Sequence, residues 1–481
     1  MILQSPEPTN MPESSTEQRE LNVLVLAAGL GTRMRSDLAK VLHKLDGRPL
    51  INHVCRTATA LAPKTIYIVI GHQGEDVKAA VLKELEGQDV VFVTQEQQLG
   101  TGDAVNAARQ YLHDSDSTLV VLSGDVPMIR PETLAALVQH HHRYLDRGAA
   151  STILSVRLYD PNGYGRIVRD ASGGFERIVE QKDANEDERQ IDEINAGIYC
   201  FDSKKLYSAL SAVKNNNAQG EYYLTDAPAL LRDAGEDVTV FQFGDAQEIE
   251  GVNNRAQLAD LERILCRRTV SRLMLEQGVT FIDPKNAYIS SEAEIGRDTI
   301  IYPNVFIEGA TEIGADCVIR PGSRLVNAKI GDSVEIRDNC LITDSEVGSG
   351  SVVGPMAHLR GHAAAGENTR IGNFVEVKKS RLGRGSKASH LTYLGDATIG
   401  EETNIGAGTI TCNYDGVRKN ETNIGNRVKI GSDTMLVAPV TVGDGAATAA
   451  GSVVIEDVPA DTLVAGVPAK VKKSLKAEHA G

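Results

Sequence analysis

Residues 295–325 read IGRDTI-IYPNVF-IEGATE-IGADCV-IRPGSR-L, and Ile295, Ile301, Ile307, Ile313, Ile319 and Leu325 fall six apart without a break. The beat returns at Ile424, Ile430, Leu436 and Val442, with Val454 twelve further on. A helix would space its apolar residues by three and four, and a simple strand would alternate them. A period of six fits a short flat strand, a corner, then another short strand, with each aliphatic stacked inward on its neighbours. Gly follows the aliphatic at Gly296, Gly314, Gly372, Gly400, Gly406, Gly425, Gly431 and Gly443, where small residues relieve crowding at corners. The predicted architecture is a parallel β-helix, a solenoid with one continuous apolar core.

The rhythm resembles the hexapeptide-repeat family, whose coils form left-handed, three-sided prisms of three hexapeptides each. Outward from it, the expected domains are a disordered tail over 1–20, an α/β domain over 21–254, a helical linker over 255–282, the β-helix over 283–470 and a C-terminal tail over 471–481. Two stretches break the beat, His358–Asn368 and Thr411–Thr422, and are read as loops expelled from the solenoid. Such loops build sites.

Composition narrows the class. A net charge of −15 argues against broad nucleic-acid binding, though local basic sites still take phosphates. The six cysteines form no CxxC or metal-like cluster, so reduced cytoplasmic thiols are expected. The first twenty residues are polar and rich in Pro, Ser and Glu, with no apolar core of a signal peptide. No apolar run approaches the ~20 residues of a membrane span.

In the front half, Asn22–Ala28 (NVLVLAA) is an apolar run of strand length that breaks into Gly29-Leu30-Gly31-Thr32-Arg33-Met34. A buried strand feeding a Gly-rich turn brings backbone N–H groups to phosphates. Thr65–Ile70, Val90–Thr94, Thr118–Leu122 and Ala150–Val156 are further strand candidates with helical patterns between them, so a mostly parallel, Rossmann-like sheet is expected. The Gly pattern is neither GxGxxG nor a Walker A loop. Together with Lys40-Val41-Leu42, Gln95-Glu96-Gln97-Gln98-Leu99-Gly100-Thr101-Gly102, Gly124-Asp125-Val126-Pro127 and Gly163-Tyr164-Gly165-Arg166-Ile167, it resembles the sugar nucleotidyltransferase (pyrophosphorylase) family. The longer string Asn215–Asp226 and Glu250-Gly251-Val252-Asn253-Asn254 extend the likeness to the bacterial family of bifunctional UDP-N-acetylglucosamine pyrophosphorylase/glucosamine-1-phosphate acetyltransferases, over essentially everything after residue 20.

That resemblance implies attack of a sugar-1-phosphate oxygen on the α-phosphorus of UTP, with pyrophosphate leaving. Two polyanions must meet, so cations and positioning are needed. It assigns Arg33 and Lys40 to catalysis, Asp125 and Asn253 to Mg²⁺, and Gln95, Gln98 and the Leu26, Ala27, Ala28 and Gly29 backbone to the base. Gly100 and Thr101 lie beside the nucleotide; Gly165, Glu180 and Asn195 bind the N-acetylated sugar. Asn253 or Asn254 could equally cap the helix expected from Arg255, which Gly278 would stop.

For the back half the resemblance implies acetyl transfer from acetyl-CoA to glucosamine-1-phosphate. The reaction needs a base, and an ordinary imidazole titrates near pH ~6.5. His390, in Lys387-Ala388-Ser389-His390-Leu391-Thr392-Tyr393, is the candidate for that base. Arg360, Lys378, Tyr393, Asn404 and Lys419 would bind the acceptor; Ala407, Asn413, Tyr414, Ser432 and Ala450 would line the coenzyme. The family forms this site between chains of a homotrimer. Two departures stand out: Gly361-His362 replaces the usual Pro-Gly, and no Arg aligns with the family's C-terminal coenzyme contact, leaving Lys470 or Lys472. His140–His142 match nothing in the family pattern and are read as part of an exposed helix. The competing readings are a monofunctional nucleotidyltransferase with a purely trimerising β-helix and a non-catalytic regulatory subunit.

Overall fold

The computed structural model describes residues 19–29, 31–71, 73–145 and 149–474. The expected tails lie outside them up to residue 18 and from 475 on. The chain divides into two compact units, Met1–Leu261 and Glu262–Gly481. Among the described residues, no helix is long and apolar enough to cross a membrane.

The first unit is built on one sheet. Its strands run, side by side, Asp237–Gln242, Ala149–Arg157, Glu193–Asp202, Ser117–Ser123, Glu20–Leu26, Thr65–Ile70 and Val90–Thr94. The last four are mutually parallel, as their continuous apolar runs require when both faces are covered. Glu193–Asp202 lies antiparallel between Ser117–Ser123 and Ala149–Arg157, so the other half of the sheet is mixed. Three backbone bonds tie the parallel strand ends together: Ala27 donates to Val69, Gln95 to Ile70 and Gly124 to Leu26, each at 2.9 Å. These C-terminal ends are where open α/β sheets take ligands.

The histidine triplet is not exposed. It closes the helix Pro131–Leu145 against the sheet. The His140 ring packs on Phe241 at 5.1 Å, and His142 Nε2 shares a hydrogen bond with Thr118 Oγ1 at 3.1 Å. His141 is 0% exposed, with Nδ1 2.9 Å from Thr152 Oγ1. Polar strand residues made this possible: they offer hydroxyls beneath an otherwise apolar helix face, which no reading of the triplet alone could reveal.

The helix Arg255–Glu276 spans the division between the units. Asn254 caps it, its Oδ1 accepting from the Ala256 and Gln257 N–H groups at 2.9 and 3.0 Å. At the far end Gly278 takes φ 72°, and the Val279 N–H returns to the Leu273 carbonyl at 3.1 Å.

The second unit is a left-handed parallel β-helix of three stacked sheets. The first face runs from Thr280–Phe281, the second from Ala287–Ile289 and the third from Glu294–Ile295. The first rung thus begins at 280, ahead of the expected 283. The ordered chain also continues past 470, because Lys470–Ser474 folds back antiparallel on Thr462–Ala465.

The expected break at His358–Asn368 does not exist. His358–Arg360 and Ala364–Ala365 are regular rungs, paired with Leu341–Ile342 and Glu346–Val347. Leu359, Ala365, Ile371 and Val377 keep the six-residue step and are all buried. Alanine at an inward position hid the rung from a search for large aliphatics. The beat falters for another reason. Between the second and third faces the step shortens to five, from Leu325 to Ile330, Ile342 to Val347, Val377 to Leu382 and Leu394 to Ile399. Each short corner contains a left-handed residue: Asn327, Asp344, Lys379 and Asp396. Asn and Asp adopt that conformation with least strain. The second break is real. Thr411 takes the inward position, its hydroxyl bonded to both backbone groups of Gly395, and a loop closed by a Tyr414–Lys419 bridge follows before Thr422–Ile424.

Candidate active sites

In the first unit, four of the expected residues converge. Arg33 Nη2 donates to Asn253 Oδ1 at 2.8 Å; Lys40 Nζ donates to Asp125 Oδ2 and lies 3.4 Å from Asn253 Oδ1. Because Asn254 does the capping, Asn253 is free to face this cluster. The Val252 N–H, bonded to the Asp125 carbonyl at 2.9 Å, keeps both oxygen donors in register. A carboxylate oxygen and an amide oxygen thus aim at one point, held by an ammonium. Oxygen donors around a cation position suit a small hard divalent ion that keeps most of its water.

On the other side of the strand ends, Gln98 Nε2 donates to the Ala28 carbonyl across the Gly-rich turn. Gln95 is 7% exposed and donates to the Gly100 carbonyl at 3.2 Å and to Asp103 Oδ2 at 2.7 Å. Gly100 sits at φ 118°, and a Cβ there would lie 2.5 Å from the Tyr222 carbonyl oxygen. No other residue fits. The Leu224 N–H donates to Thr101 Oγ1 at 3.1 Å, so Thr101 also anchors this join.

Gly165, Glu180 and Asn195 form a third group. The Asn195 N–H donates to the Gly165 carbonyl at 2.9 Å, and a Cβ on Gly165 would lie 3.6 Å from Glu180 Oε2. Asn195 Nδ2 donates to the Tyr199 hydroxyl at 2.7 Å, and Thr225 donates to Glu180 at 3.1 Å. Burial, with Asp183, Asp226 and Glu221 nearby, raises the Glu180 carboxyl above its ordinary value despite that bond. Thr225 was not singled out from the sequence, although it stands inside the distinctive Asn215–Asp226 string.

In the β-helix, His390 ends the strand Lys387–His390 on the first face. Its Nδ1 lies 2.7 Å from Asn373 Oδ1. A carbonyl oxygen only accepts, so in this arrangement Nδ1 carries the proton and Nε2 keeps its lone pair. Asn373 was missed; the signal was the coil step, since Asn373 pairs directly with His390 one rung away. The same corner continues upward through Ala407, Ser432 and Ala450. Gly408 donates to the Leu391 carbonyl, Asp433 to Ala407 and Gly451 to Ser432, so these positions stack coil on coil. His390 therefore stands at the foot of a column of small side chains.

Around the next corner, on the second face, Arg360, Glu376, Lys378 and Tyr393 occupy stacked rungs. Arg360 Nε donates to Glu376 Oε1 at 2.8 Å. Asn413 Nδ2 donates to Asp396 Oδ2 at 2.5 Å and lies 3.5 Å from the Tyr393 hydroxyl, which fixes the base of the 413–421 loop. That loop brings exposed Lys419 to Lys378, and the contact between two amines holds Lys419 below the ordinary lysine value; Asp396 offsets this in part. Two like cations side by side call for an anion between them. Tyr414 is exposed on the same loop, its hydroxyl donating to the Gly416 carbonyl at 2.7 Å. One expected residue stands apart. Asn404 lies on the first face, whereas Arg360, Lys378 and Tyr393 share the second. His362 takes φ 63° after Gly361 at φ 64°, so Gly-His makes this corner with two left-handed residues.

Comparison with known proteins agrees with this division. Residues 23–222 match the MobA-like NTP transferase domain, and residues 283–380 match the GMPPB C-terminal domain. A Bifunctional protein GlmU of Geobacillus thermodenitrificans is 48% identical over 450 residues, covering 94% of this chain and 96% of its own. Proteins of the same name from Brevibacillus brevis (46% identical, 94% and 96% covered) and Corynebacterium glutamicum (47%, 92% and 90%) are similar to the same extent.

Proposed function

The chain belongs to the bifunctional GlmU family, and from that premise we propose how its residues divide the two reactions. The protein is an enzyme of two activities: it acetylates glucosamine-1-phosphate with acetyl-CoA, then transfers UMP from UTP to N-acetylglucosamine-1-phosphate, giving UDP-N-acetylglucosamine, a cell-wall precursor, and pyrophosphate.

In the acetyltransferase reading, His390 Nε2 takes a proton from the substrate's amino group as its nitrogen attacks the acetyl carbonyl. The carbon–sulfur bond then breaks, and the imidazolium returns its proton to the departing coenzyme A sulfur, which leaves as the thiol. Lys378, Lys419 and Arg360 hold the sugar phosphate. Tyr393 and Asn404 hold sugar hydroxyls, and the Ala407–Ser432–Ala450 column with Asn413 and Tyr414 lines the coenzyme. The observation that carries this reading is the commitment of His390 Nδ1 to Asn373, which leaves Nε2 as the free base. The active unit is a homotrimer; Asn404, on a different face from the other acceptor residues, would complete a neighbour's site.

In the uridylyltransferase reading, Arg33 and Lys40 neutralise the triphosphate while a phosphate oxygen of the sugar attacks the α-phosphorus. Asp125 and Asn253 would hold Mg²⁺, which would supply positive charge against the phosphates. Lys40 then turns from Asp125 to the nucleotide. Gln95 and Gln98 face the base, and Gly165, Glu180 and Asn195 the sugar. The compartment is the cytoplasm, a reading supported by six free thiols.

One experiment tests the assignment. The protein is given glucosamine-1-phosphate, acetyl-CoA, UTP and Mg²⁺, each omitted in turn, and thiol and pyrophosphate release are followed. His390→Ala should abolish thiol release while uridylyl transfer to supplied N-acetylglucosamine-1-phosphate stays nearly intact; Asp125→Ala should do the reverse. Loss of both activities in either variant would sink the two-site assignment.

A further inference from the structure

We propose that Asp103 sets the nucleobase selectivity of the uridylyl site by fixing which end of the Gln95 side-chain amide faces the base. The inference rests on the reading of Gln95 as a base-contacting group. Gln95 follows the strand Val90–Thr94 directly, and its backbone is pinned to Ile70 at 2.9 Å. Its Nε2 meets Asp103 Oδ2 at 2.7 Å and the Gly100 carbonyl oxygen at 3.2 Å. An ionised carboxylate and a backbone carbonyl only accept hydrogen bonds. Both amide hydrogens are therefore consumed. Turning the amide over would set its oxygen against two other oxygens with no proton between them, a costly arrangement for a group this buried.

What remains for a ligand is Oε1, which has no hydrogen-bond partner among the described residues. A fixed acceptor suits a pyrimidine edge that donates. Uracil carries a hydrogen on ring N3; cytosine carries a lone pair there. The locked amide thus accepts from uracil and repels cytosine, and it does so because of a carboxylate that touches neither base nor phosphate. Asp103 is held for this task by its place in the first turn of the helix Thr101–Asn106, directly after Gly100. It is a positioning residue, and selectivity rather than rate is what it controls.

The test uses the full-length enzyme and measures kcat/KM for UTP and for CTP with N-acetylglucosamine-1-phosphate. In Asp103→Asn the new side chain can donate to a turned-over Gln95 oxygen, so only the Gly100 carbonyl still opposes the turn and the amide is no longer locked. The preference for UTP over CTP should fall by about tenfold or more, since selectivity at such sites comes from unpaired polar groups. Asp103→Ser, with a hydroxyl of either polarity, should move the ratio the same way. Equilibrium binding of UTP and CTP to the same variants reads the ratio where turnover is lost. Gln95→Leu separates the two layers of the argument. If it erases the preference while both Asp103 variants keep it, the Asp103 proposal is overturned and the Gln95 reading stands. If Gln95→Leu leaves the preference intact, the Gln95 reading fails and the proposal with it.

Discussion

In the proposed acetyl-transfer site, one coil step sets the partner of His390, the residue proposed as base. Asn373 pairs with His390 across adjacent rungs, and with its Oδ1 turned to the ring it accepts from Nδ1 and selects that tautomer. Asn373→Asp should put a negative charge beside Nδ1–H and stabilise the imidazolium. The acid limb of the acetyl-transfer pH profile should then move up by about one unit, since an adjacent opposite charge shifts a pKa by that order. Asn373→Ala should lower kcat at least about tenfold through loss of the tautomer. A pH profile of the Asp variant that overlays the parent would show that the bond only packs the corner. The same residue-scale logic separates Asn253 from Asn254. Their order in the sequence left the cap open between them; the hydrogen bonds of Asn254 to Ala256 and Gln257 decide it.

At the scale of elements, the helix Pro131–Leu145 carries an acid-sensitive face. Burial pushes the His141 imidazole down to about 3, and also lowers His140 and His142. The unfolded chain takes up these protons near pH ~6.5, while the folded chain resists them. Stability is therefore full above that pH and drains away as the pH falls towards 3. His141 alone should cost about 2 kcal/mol at pH 5 relative to pH 7. His141→Gln, which keeps a partner for Thr152, should flatten that loss in urea titrations at the two pH values. An unchanged pH dependence would mean that the acid sensitivity lies elsewhere. The β-helix elements teach a different lesson. Ala365 is as regular a rung as Ile371, but its small side chain carries almost no periodic signal. The five-residue corners at Asn327, Asp344, Lys379 and Asp396 shift the phase of everything after them.

At the scale of the whole molecule, each unit gathers a candidate site of its own, and the proposal that the acetyl-transfer site takes residues from more than one chain can be tested directly. Arg360, Lys378 and Tyr393 lie on one face of the β-helix and Asn404 on another. Arg360→Ala and Asn404→Ala, each impaired alone, should complement one another when the two chains are co-expressed. In randomly mixed trimers about a quarter of the sites would receive an intact Arg360 and an intact Asn404 from neighbouring chains. Mixed trimers, verified by sedimentation, with no recovered activity would place both residues in one chain's site.

By itself the sequence determined the two architectures, because hydrophobic period and Gly punctuation are local and survive in one dimension. It also singled out the candidate residues Arg33, Lys40, Asp125 and His390, through motifs whose spacing is local too. Only the tertiary structure decided which atoms those residues commit. That Lys40 and Arg33 close on Asp125 and Asn253, that Asp103 holds Gln95, and that Asn373 directs His390 are contacts across turns, strands and coils. Hydrogen-bond direction depends on which acceptor stands opposite, and sequence neighbours do not supply it. The buried histidine triplet follows the same rule: its environment is written in Thr118, Thr152 and Phe241, on strands the helix meets only once the chain has folded.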